Sequence, residues 1–300
     1  MTDEADAQKG KKLRKPKHGV LVKAMDIGTS SDMVARLFLQ ILQIRDHVVS
    51  QDQRDEFDKW YTPIQQNAFE AKTATDRCIA LVKSHREKIA AKSICRYEKD
   101  VIYVDECIDD DLNLHFKDVF IRFWMAFDGI KAFLHYLGFD TNFIFVDTEK
   151  DFDKGKEKFL QKHNTERFKN FVTMIEADRK NWLNGQKKFR NQIEHRGFHF
   201  PKVQYFLDET DEIISVVSPV DGVELTRYLE LIWENFFVFC EEIVVFFLAE
   251  KLPDHLAMYR IPETQRPPEN PIKYQVGLCE SLQKDLVNLS NATQNPSQSS

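Results

Sequence analysis

Between residues 112 and 137 the apolar side chains Leu112, Phe116, Val119, Phe123, Phe127, Ile130, Leu134 and Leu137 recur at steps of three and four, and Gly138 follows. That spacing places them on one stripe of an α-helix about seven turns long, and the glycine supplies the conformation that commonly ends one. A stripe so long and so aromatic has to be covered by other helices of similar length. The chain carries candidates. Ser31 or Asp32 can cap a segment bearing Val34, Leu37, Ile41, Ile44 and Val48. From Asp55 to about Ser93 a sparser stripe runs through Phe57, Trp60, Ile64, Ala68, Ile79 and Val82, with Pro63 at a kink or an early-turn position, and the segment forms one helix or two. A further pattern, from about Glu166 to His195, uses Phe168, Phe171, Ile175, Trp182, Phe189 and Ile193, and a last one spans Glu224 to Lys251. With 24 Phe against only 10 Gly and 10 Pro, an all-β chain with frequent turns is excluded. The expectation is a mainly all-α bundle of four to six long helices.

The remaining segments divide as follows. Residues 1–30 form a basic arm, with seven Lys or Arg and no acid between Lys9 and Lys23. The arm reads either as a tether to nucleic acid or a membrane surface, or as a solvated terminus. The helical domain occupies 31–252, and after Gly197 the runs VQYFL and IISVV around DETDE predict a small β-hairpin insertion at about 203–218. Residues 253–280 read as an irregular extension and 281–300 as a polar tail. The stretch from Asp100 to Asp111 holds six acids and no base, so the net charge of −6 conceals local fields of both signs.

Several function classes drop out. The most apolar stretch, WENFFVFCEEIVVFFLAE, is interrupted by Glu234, Glu241 and Glu242, which favours a buried helix over a membrane span. The five cysteines are scattered and contain no CxxC pair, so neither a disulfide framework nor a zinc site is indicated, and a reducing, cytoplasmic setting is expected. There is no GxxxxGK[ST] loop, GxGxxG, HExxH or GxSxG, and no internal repeat. No cofactor or metal is expected.

What remains is RNQIEH, residues 190–195, at the end of a helical segment. With Phe189 as the centre of the core face, a turn of about 100° per residue puts Ile193 on that face and turns Asn191 and His195 outward. Lys180, Asn184, Lys187 and Lys188 share this outward side, Arg196 follows, and Asp178 to Lys202 holds seven Lys or Arg against two acids. Such a face suits a phosphate backbone, so Lys180, Lys187, Lys188 and Arg196 are candidate RNA contacts. The chemistry available is acid–base. A histidine titrating near neutrality takes a proton from a ribose 2′-OH or gives one to a leaving 5′-oxygen. An arginine holds the phosphorane charge, and Asn191 orients the imidazole or binds phosphate. A blander reading stands beside it: Arg190 pairs with Glu194 one turn on, and His195 simply ends a helix near Gly197.

Arg190, Asn191 and His195 match the RNxxxH form of the Rx4–6H signature, and on that motif and the helical context the chain resembles the HEPN superfamily over at most about residues 31–252. The resemblance implies a HEPN-like bundle of four or five helices. It also implies a metal-independent endoribonuclease of the toxin or abortive-infection type, acting in phage defence or a toxin–antitoxin response and held in check by an antitoxin or regulatory protein. Gly197 stands where some toxin subfamilies have a tyrosine. Arg190 and His195 are five residues, about 140°, apart on a regular helix. A two-fold homodimer is therefore expected to bring Arg190 of one chain to His195 of the other, as the resemblance also implies. The alternative is a non-catalytic module that binds RNA, a nucleotide or a protein partner. His199, beside Phe198 and Phe200, and the run Asp109 to Asp111 are weaker candidates, read respectively as packing and as a helix N-terminus.

Overall fold

The computed structural model describes residues 28–98, 101–195, 205–207, 209, 213–216 and 223–284. The basic arm, Arg196, Gly197, His199 and most of the polar tail lie outside these residues. The described chain is mainly helical. Helix α1 runs through Asp32–Val34, a π-helical turn Ala35–Leu39, and Gln40–Val48. Ser31 stands at its N-cap but its side chain makes no capping hydrogen bond. Helix α2, Arg54–Ala90, is unbroken across Pro63, so the expected kink does not divide it in two. The hairpin β1 (Cys95–Glu98) and β2 (Val101–Val104) leads to α3, Asp109–Tyr136. Gly138, at φ 87°, lets the chain leave α3, with Gly138 N donating to His135 O and Phe139 N to Leu134 O, both at 2.9 Å.

A short 3₁₀ segment, Asn142–Phe145, precedes α4, Glu149–Lys162, a helix absent from the periodicity reading. Helix α5, Glu166–Asp178, passes through a second π-helical turn, Arg179–Leu183, into α6, Asn184–His195. The expected hairpin follows as β3 (Tyr205–Leu207) paired antiparallel with β4 (Ile213–Val216). Helix α7 spans Leu225–Ala249. The stretch 253–280, read as irregular, is corrected near both its ends: β5 (Leu256–Arg260) and β6 (Tyr274–Leu278) pair antiparallel over five residues each.

The stripe of α3 is the core. Phe116, Phe123, Phe127, Ile130 and Leu134 are fully inaccessible, and α2 lies along one side of them. Gly129 permits that approach, because a β-carbon there would stand 3.1 Å from Ile64 Cγ1. On the other side α7 contributes Phe236, stacked on Phe123 at 4.0 Å between centroids, and Phe239, edge-on to Phe127 at 5.5 Å. Burying one such phenyl group contributes about 1.5–3 kcal/mol. The same helix buries a charge. Glu241, inaccessible in the middle of α7, receives Arg36 Nε at 2.9 Å and Gln40 Nε2 at 3.0 Å from α1. Gln40 Oε1 in turn accepts from the backbone N–H groups of Lys273 and Tyr274, both at 2.7 Å, which fastens β6 to the bundle. Among the described residues no helix is long and apolar enough to cross a membrane.

Candidate functional site at the end of α6

Helix α6 is fixed to α3 by its aromatic residues. Phe189 packs against Phe116 and Phe120, at 6.0 and 5.2 Å, while Trp182, about two turns earlier, lies 6.4 Å from Phe127. The two helices therefore run antiparallel, and the C-terminal end of α6 points toward the N-terminal half of α3. Phe189 does not sit at the centre of the buried face, however. That face is made by Leu183, Gln186 and Lys187, with Arg190 half-buried beside them.

This overturns one expectation. Lys187 is only 6% exposed, and its ammonium donates to Val146 O and pairs with Asp147 at 3.2 Å. Burial lowers its pKa, against the opposing pull of Asp147. Lys187 therefore holds the segment before α4 and is not on the outward face. Arg179, in the π turn, does the same from 2% exposure: it donates to Ile144 O at 3.0 Å and Val146 O at 3.2 Å, pairs with Glu149 at 2.9 Å, and lies over the Phe152 ring at 4.3 Å. Lys180 and Lys188 are exposed as expected.

The motif residues occupy the last turn. His195 is exposed and Asn191 half-buried. The guanidinium of Arg190 rests over the Trp124 ring, 5.4 Å from its centroid, with Nε 2.9 Å from Glu194 Oε2. That same oxygen lies 3.7 Å from His195 Nε2. Arg190 and His195 thus do approach one another within a single chain, through a glutamate that the periodicity reading treated only as a pairing partner for Arg190. The signal for it was present: Glu194 is four residues after Arg190 and next to His195.

Beside this turn, α3 presents Leu114, Ile121 and Met125 to solvent at 63, 41 and 46% exposure, at spacings of seven and four that form one stripe. Trp124 stands between that stripe and the core. Among the described residues no group of three or more His, Cys, Asp or Glu is placed to hold a metal ion. Comparison with family profiles, with characterised proteins and with solved structures gives no match for this chain.

Proposed function

We propose that the chain is an endoribonuclease in which Arg190, Asn191 and His195 act on a phosphodiester. The supporting observation is the shared oxygen: an arginine and a histidine already converge on an anion, Glu194 Oε2, at an exposed helix end. A carboxylate oxygen there stands in for a phosphate oxygen. Exposed ion pairs of this kind contribute at most about 1 kcal/mol, so a phosphodiester displaces Glu194 at small cost.

In the proposed reaction, imidazole takes the 2′-OH proton as O2′ attacks phosphorus. The 5′-oxygen leaves with a proton from an acid, and a 2′,3′-cyclic phosphate is formed, with arginine holding the charge that builds on the phosphoryl oxygens. The step needs a base and an acid at once. Two copies of His195 in a two-fold homodimer supply both, and the exposed stripe Leu114, Ile121 and Met125 next to Trp124 is an apolar surface suited to such a pairing. Because Glu194 bridges the two side chains in one copy, the dimer rests on this surface and on the two-proton requirement rather than on steric necessity. Lys180, Lys188 and Arg196 are the proposed RNA contacts, and a protein inhibitor covering the same face fits the toxin-like reading. A second reading, a non-catalytic RNA- or partner-binding module, is favoured by the hold of Glu194 and Trp124 on Arg190.

Incubation of purified protein with end-labelled RNA in EDTA tests the proposal. Wild type cuts, while Arg190→Ala and His195→Ala remain folded and do not, the change being on or near the surface. Cleavage at wild-type rate by either variant refutes the assignment, and retention of RNA without cleavage by wild type selects the second reading. Mixing the two inactive variants under subunit exchange restores part of the activity if the groups act in trans and none if they act within one chain.

A further inference from the structure

A cleft of about 430 Å³, none of whose lining residues belongs to the motif of α6, opens between α4 and the segment that follows α3. Its floor is Phe143 and Phe159, and one wall is a row of lysines, Lys154, Lys158 and Lys162. The cleft exists because α4 lies directly against the 3₁₀ segment at Gly155, where any β-carbon would overlap Phe143. The lysines recur at four-residue steps, so successive ammonium groups are carried about 6 Å apart along the axis and the row covers about 12 Å.

Three lysines stand against two carboxylates, Asp140 and Asp151, among the residues that line this cleft. Lys156, on another side of the same helix, pairs with Asp153 at 3.0 Å and Glu176 at 2.6 Å. Lys154, Lys158 and Lys162 are exposed and make no ion pair or hydrogen bond among the described residues. The two carboxylates hydrogen-bond to neighbours on their own segments and keep their charge: Asp140 Oδ1 accepts from the Asn142 amide side chain at 2.9 Å, and Asp151 accepts from Thr148 Oγ1 at 2.6 Å, so the lysines exceed them by one. At the far end His163 Nε2 has no hydrogen-bond partner. Burial first, then the positive charges of Lys162 and Lys251, hold the His163 pKa down. Like charges four residues apart oppose helix formation, and an anion laid across them relieves the repulsion.

We infer that this cleft is a binding site for a polyphosphate chain, either that of a nucleoside triphosphate or inorganic tripolyphosphate. One phosphate reaches one or two of the ammonium groups, whereas a chain of three engages the whole row, each contact charge-assisted. The concave shape and aromatic floor favour a small ligand over a nucleic-acid strand. The site is separate from the motif of α6, so its test does not depend on RNA cleavage.

Titration calorimetry at physiological ionic strength, with ATP, GTP and sodium tripolyphosphate against the full chain, reads it out. All three bind, and the triple variant Lys154→Ala, Lys158→Ala, Lys162→Ala weakens each at least tenfold, while Lys156→Ala leaves them unchanged. Lys158→Glu, a single exposed change, gives the same loss without relying on the triple variant. Tighter binding of either nucleotide than of tripolyphosphate identifies the nucleotide as the ligand, and equal binding identifies the chain alone as what is recognised. The inference fails if none of the three binds, if the lysine variants bind as wild type does, or if a twelve-nucleotide RNA displaces tripolyphosphate and its own binding is lost with the lysines. The last outcome makes the cleft part of an RNA path.

Discussion

Arg36 and Arg190 both face a glutamate, and both lie against an aromatic ring, Phe237 at 4.4 Å and Trp124 at 5.4 Å. Their surroundings differ in every other respect. Glu241 is inaccessible and reached by Arg36 and Gln40 of α1 and, at 3.5 Å, by Lys273 just before β6, so its charge is met from two other parts of the chain. Burial alone would lower the Arg36 pKa, but the hydrogen bond and charge of Glu241 outweigh it and hold the pKa up. Glu194 is 38% exposed, comes from the same helix as its arginine, and meets it in a contact that water can replace. The first pair joins α1, α7 and β6. The second is a surface pair whose anion can be exchanged. Burial, not the identity of the residues, separates a structural ion pair from a candidate site.

That contrast can be broken by measurement. Truncating either partner of the buried pair, Arg36→Ala or Glu241→Ala, strands a charge and costs about 3–5 kcal/mol, read as a fall in the urea midpoint. A loss below about 1 kcal/mol would show that water reaches the pair and that the comparison is misdrawn. The two neighbouring lysines of α6 sharpen it next. Lys187→Ala removes a buried donor from Val146 O and costs about 1–3 kcal/mol, whereas Lys188→Ala leaves stability within about 0.5 kcal/mol and weakens RNA binding with a flatter salt dependence. Equal stability of the two variants would return Lys187 to the surface.

Lys187 also has a pH signature. Its folded pKa lies below the 10.5 of the unfolded side chain, so the native state releases this proton first and the unfolded chain binds more. Wild-type stability relative to Lys187→Met therefore rises as pH climbs from the lowered value toward 10.5. A flat difference across that window contradicts the burial. The smallest effect belongs to the exposed pair. A double-mutant cycle between Arg190 and Glu194 gives a coupling of about 0.3–0.5 kcal/mol, while Glu194→Gln raises affinity for RNA by removing the competing anion. A coupling above about 2 kcal/mol would make the pair structural.

What the sequence made legible follows the same division. Helices α3 and α7 could be read because each buries a dense row of apolar side chains, and Gly138 marked a real stop. Helix α4 was not legible because only Phe152 and Phe159 of its fourteen residues are buried, too few to set a period. Strands β5 and β6 were hidden by the prolines between them, Pro262, Pro267, Pro268 and Pro271, and by a half-buried pattern without alternation. At α6 the periodicity argument placed His195 outward correctly but took Phe189 as the middle of the buried face. Lys187 lies nearer that middle, its aliphatic stem inside and its ammonium turned to Val146 O. Apolarity alone could not have shown this, since the residue that fills the position is charged.

The π turn at Arg179–Leu183 carries one residue more than an α-helical turn would use. It therefore works as a phase offset between the two halves of one continuous rod. If this stretch were rewound as regular α-helix with none of its residues removed, everything after it would turn by about 100° about the axis. Phe189 would leave its place against Phe116 and Phe120, and Arg190 would leave Trp124. The winding of this segment is thus as much a part of the surface at Arg190 and His195 as the residues themselves.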